Sequence, residues 1–437
     1  MKGISFEDHI NNDKVLELLS KQKTRNFKPG QEHTYSNSNY VLLAEIVKRV
    51  SGKSLRVFAE ENIFNPLGMK KTHFDDDFRM IVKNRVTSYG KKEDESFVRY
   101  LKSFDVVGDG GLLTTVGDLN RWHRNFYDYK LGGEEFVNLL LTKGRLNNGK
   151  EIDYGFGLGR DKYKGIRIVR HGGALPGFKT ELIHFLDQRF SVAVLCNLYS
   201  MNPFTLARRV ADIYLAKHFT EEVQEPPKNV SLEDYDMADV SPEELERIVG
   251  HYRVIEFSEY RQIYLKDGQL YCVEQPVEDE RRLAPLRDRR FLMLDVPHET
   301  ILKELAMEPG ETKRLEWYRN GKLSFQLEAY EPWAPQTEEL AQYAGLYYSP
   351  ELDTAYTLLV KDGKLVAQHQ RIPDFELRAQ EEKDNFRGTW RFDAVVFKRD
   401  EVGQIIGLHV SAYYQRVSNL FFERRKGSCE SKVYPID

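Results

Sequence analysis

Two short segments of the chain carry side chains that could take part in chemistry. In Tyr35-Ser36-Asn37, a phenol that can donate or accept a proton lies two residues before a side-chain amide. In His171-Gly172-Gly173, an imidazole that titrates near pH ~6.5 precedes two glycines. Each segment also has a purely structural interpretation, in which Tyr35 packs its ring, Asn37 caps a helix and His171 is a hydrogen-bonded structural histidine. The choice between these interpretations depends on what surrounds the two segments.

The tyrosine segment lies on a predicted loop that leads into a helix. Lys28-Pro29-Gly30 marks a turn before it, since proline and glycine interrupt regular structure. From Asn39 the pattern is helical and Gly52 ends it, with Asn37 or Ser38 as the predicted N-cap. The helical pattern rests on apolar residues at three- and four-residue steps, namely Leu42, Leu43, Ile46, Val47 and Val50.

The histidine segment lies among predicted strands. Gly165–Arg170 is short and β-rich, and we expect His171-Gly172-Gly173 to interrupt it. Glu181–Leu186 and Ser191–Cys196 are two further predicted strands, joined by a hairpin turn at Asp187-Gln188. The sequence therefore predicts that the imidazole lies at the end of a strand in a sheet.

Helices and a linker complete this part of the chain. The stretch around Asp109-Gly110-Gly111 is interpreted as a turn before a helix that begins near Thr115, and an amphipathic helix over Phe204–Phe219 closes the domain. The polar, acidic stretch Thr220–Asn229 contains Pro226-Pro227 and is predicted to be a linker.

The rest of the chain is an internal duplication. Three tripeptides recur 95 residues further on, which is strong evidence for two copies of one unit. Asp-Gly and Asn-Gly turns separate short alternating segments in each copy, as is typical of a small closed antiparallel barrel. The recurring pairs are Glu243-Glu244-Leu245 with Glu338-Glu339-Leu340, Gly250-His251-Tyr252 with Gly345-Leu346-Tyr347, and Lys266-Asp267-Gly268 with Lys361-Asp362-Gly363.

Composition argues against several classes of function. The 437 residues include 64 Lys or Arg and 68 Asp or Glu, and this formal net charge of −4 argues against nucleic-acid binding. No apolar stretch approaches the ~20 residues of a membrane-spanning helix. Cys196, Cys272 and Cys429 suit neither a disulfide framework nor a zinc site, and no histidines have metal-ligand spacing. We therefore expect no metal or organic cofactor, no nucleic-acid partner and no membrane segment in this chain.

The two chemical segments occur with others in an order that resembles a family of serine hydrolases. That family is the group of class C β-lactamases, penicillin-binding DD-peptidases, esterases and D-aminopeptidases, and the resemblance covers roughly Phe6–Phe219. The duplicated half further resembles the D-aminopeptidase branch, whose catalytic domain carries two antiparallel barrels. The other segments are Phe27-Lys28-Pro29-Gly30, Pro66-Leu67-Gly68-Met69 with Thr72, Gly108–Leu119 and Pro176-Gly177-Phe178.

The resemblance implies a fold class and a domain order. The fold is α/β (α+β): a β-lactamase-like domain with an antiparallel sheet, followed by two antiparallel β-barrel-like, lipocalin-like domains. We expect the first domain at residues 1–219, without its N-terminal part, and a linker at residues 220–240. The two barrel repeats are expected at residues 241–335 and 336–437.

The resemblance also implies a role for the tyrosine segment. Members of this group acylate a serine of an S-x-x-K motif, and the lysine helps to carry the proton of that serine. Tyr35 would be the phenolate-type acid/base, which requires nearby cations, because an unperturbed tyrosine has a pKa of ~10. Asn37 would hold a substrate amide or a lysine through a hydrogen bond.

The histidine segment takes the place of the Lys-Thr-Gly strand motif of this group. Gly172 and Gly173 would let the substrate lie along the strand edge, and the amide N–H of Ala174 would be one oxyanion donor. The implied catalytic residues are thus Tyr35, Asn37 and His171. Because His171 replaces a permanent cation with a group that titrates near neutral pH, this departure argues against turnover of β-lactams.

The nucleophile is not where the resemblance places it. Ser20-Lys21-Gln22-Lys23 matches S-x-x-K, but it lies only 15 residues before Tyr35 and at the end of a surface helix. We interpret this match as chance and expect that the nucleophile helix and the first two strands are absent from the chain. A mispredicted gene start, an expressed fragment and a natural truncation all remain open.

Two functions follow from these expectations. The first is a serine hydrolase that cleaves amide or ester bonds of small peptide-like or ester substrates through an acyl-enzyme, inactive as this chain. The second is a non-catalytic binding or scaffolding protein whose barrels contact a partner or an apolar ligand. We also expect self-association through an exposed sheet edge at Ser191–Cys196. The compartment is periplasmic or extracellular if a preceding segment carries a signal peptide, and cytoplasmic otherwise.

Overall fold

The chain forms two compact units in a computed structural model. The sheet unit comprises residues 4–223, and the barrel unit comprises residues 1–3 and 224–437. The structure describes residues 1–425 except 4–7, 93, 101–103, 221–234, 239, 256–258, 276–278, 295, 297–298, 307, 309, 390 and 413–416. Most of the predicted linker and Cys429 therefore lie outside the described residues. Among the described helices, none is both long enough and apolar enough to cross a membrane.

Seven α-helices are described in the sheet unit. The helix predicted before Gly52 is present, and Gly52 ends it in the left-handed conformation, with φ at 71°. The helix predicted near Thr115 begins there as well, because the Thr115 side chain accepts from the Asp118 N–H as an N-cap. The helices are α1 (Asn12–Ser20), α2 (Asn37–Ser51), α3 (Leu55–Ala59), α4 (Asn65–Leu67), α5 (Val116–Asp128), α6 (Gly133–Leu140) and α7 (Pro203–Leu215), with a π-helical turn at Glu60–Phe64 and 3-10 turns at Leu186–Gln188 and Ala216–His218.

The central feature of the sheet unit is a five-stranded antiparallel sheet. Its strand order is β13-β12-β11-β10-β9, so β13 lies at one edge. Helix α7 covers one face, where Ala207 and Ala211 pack against Ile183 and Phe185. The strands of the unit are β1 (Ile10–Asn11), β2 (His73–Phe74), β3 (Ser88–Lys91), β4 (Phe97–Tyr100), β5 (Phe104–Asp105), β6 (Leu112–Leu113), β7 (Gly144–Arg145), β8 (Glu151–Ile152), β9 (Tyr154–Gly155), β10 (Leu158–Tyr163), β11 (Ile166–Leu175), β12 (Phe178–Phe185) and β13 (Phe190–Cys196).

The predicted interruption at His171-Gly172-Gly173 is wrong. Strand β11 continues from Ile166 to Leu175 through both glycines. The reason is that neither glycine has a positive φ, and both pair in register with β12, Gly172 with Glu181 and Gly173 with Thr180. The glycines therefore belong to the strand and do not form a turn.

The apolar face of α2 is largely exposed. The residues that predict this helix by their spacing include Leu43, Ile46 and Val50, which are 51%, 54% and 84% exposed. The buried residues of the helix are instead Val41, Ala44 and Glu45. The sequence pattern thus predicts the helix correctly, while its apolar stripe lacks cover from the described part of the chain.

The barrel unit contains two closed eight-stranded antiparallel barrels with the same order of neighbouring strands. The predicted barrel-like fold of the duplicated half is confirmed. The first barrel has β14 (Gly250–Val254), β15 (Tyr260–Lys266), β16 (Gln269–Gln275), β17 (Asp279–Leu286), β18 (Arg290–Met293), β19 (Thr300–Glu304), β20 (Arg314–Arg319) and β21 (Lys322–Tyr330), after α8 (Pro242–Glu246). The second has β22 (Gly345–Ser349), β23 (Thr354–Lys361), β24 (Lys364–His369), β25 (Ile372–Ala379), β26 (Asn385–Arg387), β27 (Ala394–Arg399), β28 (Ile405–Ala412) and β29 (Val417–Arg425), after α9 (Thr337–Ala341).

The repeated tripeptides occupy equivalent places in the two barrels. Asp267-Gly268 and Asp362-Gly363 each form the turn between the second and third strands, with φ between 50° and 77° at all four residues. Two positive φ angles in a two-residue loop favour Asp-Gly, because this turn follows the twist of the flanking strands. Tyr252 and Tyr347 are both fully buried, and each phenol donates to the main-chain carbonyl four residues before it.

Candidate functional site

Tyr35 lies immediately before Ser36, the residue that caps the N-terminus of α2. Ser36 is extended, with φ −142° and ψ 112°, and its Oγ accepts from the Asn39 N–H at 3.4 Å. The N-cap is therefore Ser36, and the predicted caps Asn37 and Ser38 are wrong, because both already belong to the first helical turn. Asn37 is exposed, so its amide is not needed to cap the helix.

His171 lies in β11, where the strand continues beyond one of its two neighbours. Strand β10 pairs with β11 only as far as Arg170, opposite Gly159. Strand β12 pairs with β11 up to Leu175, opposite Phe178. Residues 171–175 thus have β12 on one side, and no described strand pairs with them on the other. Ala174 is exposed in this segment and pairs with Lys179.

The imidazole of His171 has a defined tautomer. Its Nδ1 lies 2.6 Å from the carbonyl oxygen of Gly172, and a carbonyl can only accept, so Nδ1 carries the proton. Its Nε2 lies 3.2 Å from the phenol oxygen of Tyr154. In the neutral imidazole, Nε2 is then the acceptor and the Tyr154 hydroxyl donates to it.

The structure brings the two predicted segments together through a third residue. The ring centroids of Tyr35 and His171 are 6.1 Å apart, and the ring of Tyr154 is 6.1 Å from each of them. The ring of His33 lies 5.6 Å from that of Tyr154. Tyr35, Tyr154 and His171 therefore form one aromatic cluster, which we call the Tyr-Tyr-His cluster.

Sequence reasoning missed Tyr154. The residue begins the run Tyr154-Gly155-Phe156-Gly157, in which Phe156 and Gly157 have φ of 53° and 78°. These two residues form the tight turn between β9 and β10. The turn places Tyr154 opposite Gly159 of β10, close to the part of β11 that includes His171. A tyrosine next to a glycine-rich turn before a predicted strand was the available signal, but nothing in it identifies a partner 17 residues later.

The environment of Tyr154 keeps its hydroxyl protonated. Burial raises the pKa of Tyr154 well above its usual value, and the neighbouring phenols of Tyr40 and Tyr35 raise it further. Tyr154 is therefore a donor at neutral pH and not a base. The Gly172 carbonyl selects the Nδ1–H form of His171, and in that form Nε2 faces the Tyr154 hydroxyl.

Close packing on β12 explains both glycines of the histidine segment. A Cβ on Gly173 would lie 2.4 Å from Oγ1 of Thr180, and a Cβ on Gly172 would lie 3.0 Å from Oε2 of Glu181. Glycine at these two positions therefore lets β11 and β12 pair beside bulky cross-strand neighbours.

A buried ion pair holds the strand next to the histidine. Glu181 is 2% exposed and accepts from Arg170 at 2.6 and 2.9 Å, in the two-point geometry that arginine and carboxylate favour. Arg208 of α7 lies 3.8 Å from the same carboxylate, and the ring of Phe204 stacks on both guanidinium groups. These contacts join α7, β11 and β12 next to His171 in the chain.

Ser20 is an exposed residue at the last position of α1. Its hydroxyl donates to the Glu17 carbonyl at 2.8 Å within the same helix. The neighbouring Lys21 pairs with the carboxylate of Glu17. The S-x-x-K match therefore ends a surface helix, as its sequence context indicates.

Comparison with known proteins gives a match to one family model and to several relatives. Residues 4–216 match the family model described as Beta-lactamase. Penicillin-binding protein 4* of Bacillus subtilis (strain 168) is 29% identical over 317 residues, which are 68% of this chain and 68% of that protein. A D-aminopeptidase of Gluconobacter oxydans (strain 621H) is 27% identical over 197 residues, 45% of this chain.

The relatives differ in how much of their length is matched. The chain spans only 37% of the D-aminopeptidase. Among solved structures, the octameric penicillin-binding protein homologue from Pyrococcus abyssi is 19% identical with a TM-score of 0.43, covering 69% of this chain and 66% of that one. The matched residues 4–216 include all three members of the Tyr-Tyr-His cluster, and this part of the chain belongs to the β-lactamase and penicillin-binding-protein-like family.

Proposed function

We propose that the sheet unit provides the acid/base and strand-edge part of a serine hydrolase site that cleaves amide or ester bonds of peptide-like substrates through an acyl-enzyme. The observation that carries this proposal is the Tyr-Tyr-His cluster. In this cluster Tyr35 lies next to His171, where β11 continues beyond its pairing with β10. Relatives described as D-aminopeptidases support substrates with D-configured or small groups.

Each residue has a distinct role in this proposal. Tyr35 exchanges a proton with the nucleophile and the leaving group, and Asn37 holds a substrate amide. The substrate lies along residues 171–175, and the N–H of Ala174 donates to the oxyanion. His171 presents its imidazole to the substrate, and Tyr154 orients that imidazole. Gly172 and Gly173 keep the strand close enough to β12 for this edge to remain straight.

We further propose that Ser20 is not the nucleophile and that residues 1–437 alone form no acyl-enzyme. The exposed position of Ser20 and its bond to its own helix support this statement. Incubation with a fluorophosphonate, followed by peptide mass spectrometry, tests it. We expect no adduct on Ser20, and the Ser20→Ala variant is the matched control. A stoichiometric adduct on Ser20 would refute the proposal.

A further inference from the structure

The two barrels have an equivalent inward-facing position at one end. Gly250 pairs with Ile263 in the first barrel, and Gly345 pairs with Leu358 in the second, 95 residues further on. Two residues before Ile263 lies Arg261, and two residues before Leu358 lies Tyr356. Both side chains are almost fully buried, at 4% and 1% exposure. Their shared register makes Arg261 and Tyr356 structural counterparts.

The position in the second barrel is occupied by a peptide segment. The hydroxyl of Tyr356 donates to the main-chain carbonyl of Met1 at 2.6 Å, and the Met1 side chain packs against the barrel core. Lys2 donates to the Leu352 carbonyl at 2.8 Å, and Gly3 lies so close to His369 that a Cβ would be 2.3 Å from its ring. The end of this barrel therefore holds a short segment through a main-chain carbonyl.

The corresponding end of the first barrel has buried donors without an acceptor. Arg261 donates from Nη1 to the Tyr260 carbonyl and from Nη2 to Glu259, both at 2.9 Å, while its Nε has no hydrogen-bond partner. Trp317 is 1% exposed, and its indole Nε1 also lacks a partner. The guanidinium carbon of Arg261 is 5.4 Å from the Trp317 ring. Buried N–H groups without acceptors are rare in folded proteins, so two neighbouring ones indicate a missing acceptor.

The charges around Arg261 select a neutral acceptor. Glu259 and Glu274 lie 2.9 and 3.4 Å from Arg261 Nη2, so two carboxylates already balance its single charge. A third carboxylate would be repelled by them, whereas a carbonyl would not. The surrounding Trp317 and Phe325, stacked at 5.1 Å, provide an apolar surface beside the donors.

We propose that this end of the first barrel binds a peptide segment of a partner protein, whose main-chain carbonyl accepts from Arg261 Nε and Trp317 Nε1. In the second barrel, the counterpart residue Tyr356 donates to a main-chain carbonyl of residues 1–3 of this chain. This site lies in the barrel unit and does not depend on hydrolysis.

The test is a titration of the full chain, labelled with 5-fluorotryptophan, with the blocked peptide acetyl-Met-Lys-Gly-methylamide, followed by fluorine NMR. The Trp317→Phe variant assigns the resonance of Trp317 among the four tryptophans. We expect a saturable shift of this resonance, with a Kd on the order of 1 mM. The Arg261→Met variant should bind about tenfold more weakly, as expected for the loss of a buried charged donor.

Two further variants make the outcome specific. Arg261→Lys keeps the charge beside Glu259 and Glu274 but removes the Nε donor, and it should lose affinity as Arg261→Met does. Tyr356→Phe, the counterpart change in the second barrel, should leave the Trp317 titration unchanged. The absence of a saturable shift, wild-type affinity in Arg261→Lys, or tighter binding of hexanoate than of the peptide would each overturn the proposal.

Discussion

At the scale of single residues, the site depends on a hydrogen bond that neither sequence segment contains. Tyr35 and His171 have the side chains for proton transfer, but the orientation of the imidazole is set by Tyr154 and the Gly172 carbonyl. Burial raises the pKa of Tyr154, so this residue remains a donor over the whole neutral range. In the proposed site, Tyr154 would therefore position His171 and would not act on the substrate.

Replacing Tyr154 by phenylalanine tests this positioning role. The Tyr154→Phe variant removes the hydrogen bond to Nε2 and retains the ring, while the Gly172 carbonyl still accepts from Nδ1, so we expect the ¹⁵N resonance of Nε2 to shift and that of Nδ1 to change little. The ¹⁵N shifts of the two ring nitrogens of His171 report the change without any need for turnover. The Tyr129→Phe variant, a change at an exposed tyrosine, is the control. An unchanged Nε2 resonance in Tyr154→Phe would remove Tyr154 from the account.

At the scale of elements, the close pairing of β11 with β12 leaves little room for a side chain at Gly173. A methyl group on Gly173 would meet Thr180 Oγ1 at 2.4 Å, so we expect Gly173→Ala to destabilise the fold by ~1–3 kcal/mol, as overpacking does. Urea unfolding measures the difference. Gly110→Ala is the matched control, because its Cβ would meet no atom within 4 Å. Recovery of stability in the Gly173→Ala/Thr180→Ala double variant would attribute the loss to this contact.

A buried histidine pair joins α5 to β12 and predicts acid sensitivity. The Nδ1 atoms of His123 and His184 are 2.6 Å apart, and His184 is fully buried. Burial and, to a smaller extent, the adjacent His123 lower the pKa of His184 to about 3. Burial also lowers the pKa of His123. Since the unfolded state binds protons more readily than the folded state, stability is full above pH ~6.5 and falls as the pH decreases toward 3.

Thermal unfolding of the full chain at pH 7 and pH 4.5 measures this effect. We expect the Tm to fall more between these pH values in the wild type than in His184→Gln, which retains a polar group but does not titrate. The carboxylates titrate in both proteins, so the comparison isolates the histidine. Equal losses in the two proteins would show that the pair does not contribute.

The sequence predicted the helices better than it predicted strand pairing and the partners of individual side chains. The residues that begin and end α2 and α5 have local signals, since Gly52 and Thr115 act through bonds to neighbouring residues. The strand through Gly172 could not be predicted locally, because its continuity depends on pairing with Glu181 and Thr180 of β12. Tyr154 was missed for the same reason, since its partner is selected by the register of β9, β10 and β11. The family segments predicted which residues meet, and the tertiary fold determines how they are oriented.

At the scale of the whole molecule, two features of the sheet unit favour self-association. Strand β13 lies at the edge of the five-stranded sheet, with Leu195 42% exposed, and α2 presents Leu43, Ile46 and Val50 on its exposed face. Among the described strands, none pairs with the outer edge of β13, and an apolar edge of this kind favours contacts with other chains, as does an exposed apolar patch. The barrels differ, because closure leaves neither of them a sheet edge of this kind.

Separate expression of residues 4–219 and 235–437 tests this difference. We expect the first fragment to form oligomers in light scattering and the second to unfold cooperatively in calorimetry. The Leu43→Lys/Ile46→Lys variant and the Leu195→Lys variant of the first fragment should each reduce its mean mass, while Lys48→Ala should not. A monodisperse wild-type first fragment would contradict this prediction.

The central claim is that Tyr35 and His171 form the acid/base and strand-edge part of a hydrolase site, and turnover tests it most directly. The measurement is the hydrolysis of a D-aminoacyl p-nitroanilide by the longest in-frame product of the gene and by its Tyr35→Phe, His171→Ala and Ser20→Ala variants. We predict that Tyr35→Phe and His171→Ala each lower kcat/KM by ~10²-fold or more. Ser20→Ala should retain the full rate. Wild-type turnover in Tyr35→Phe, or loss of turnover in Ser20→Ala, would contradict the account.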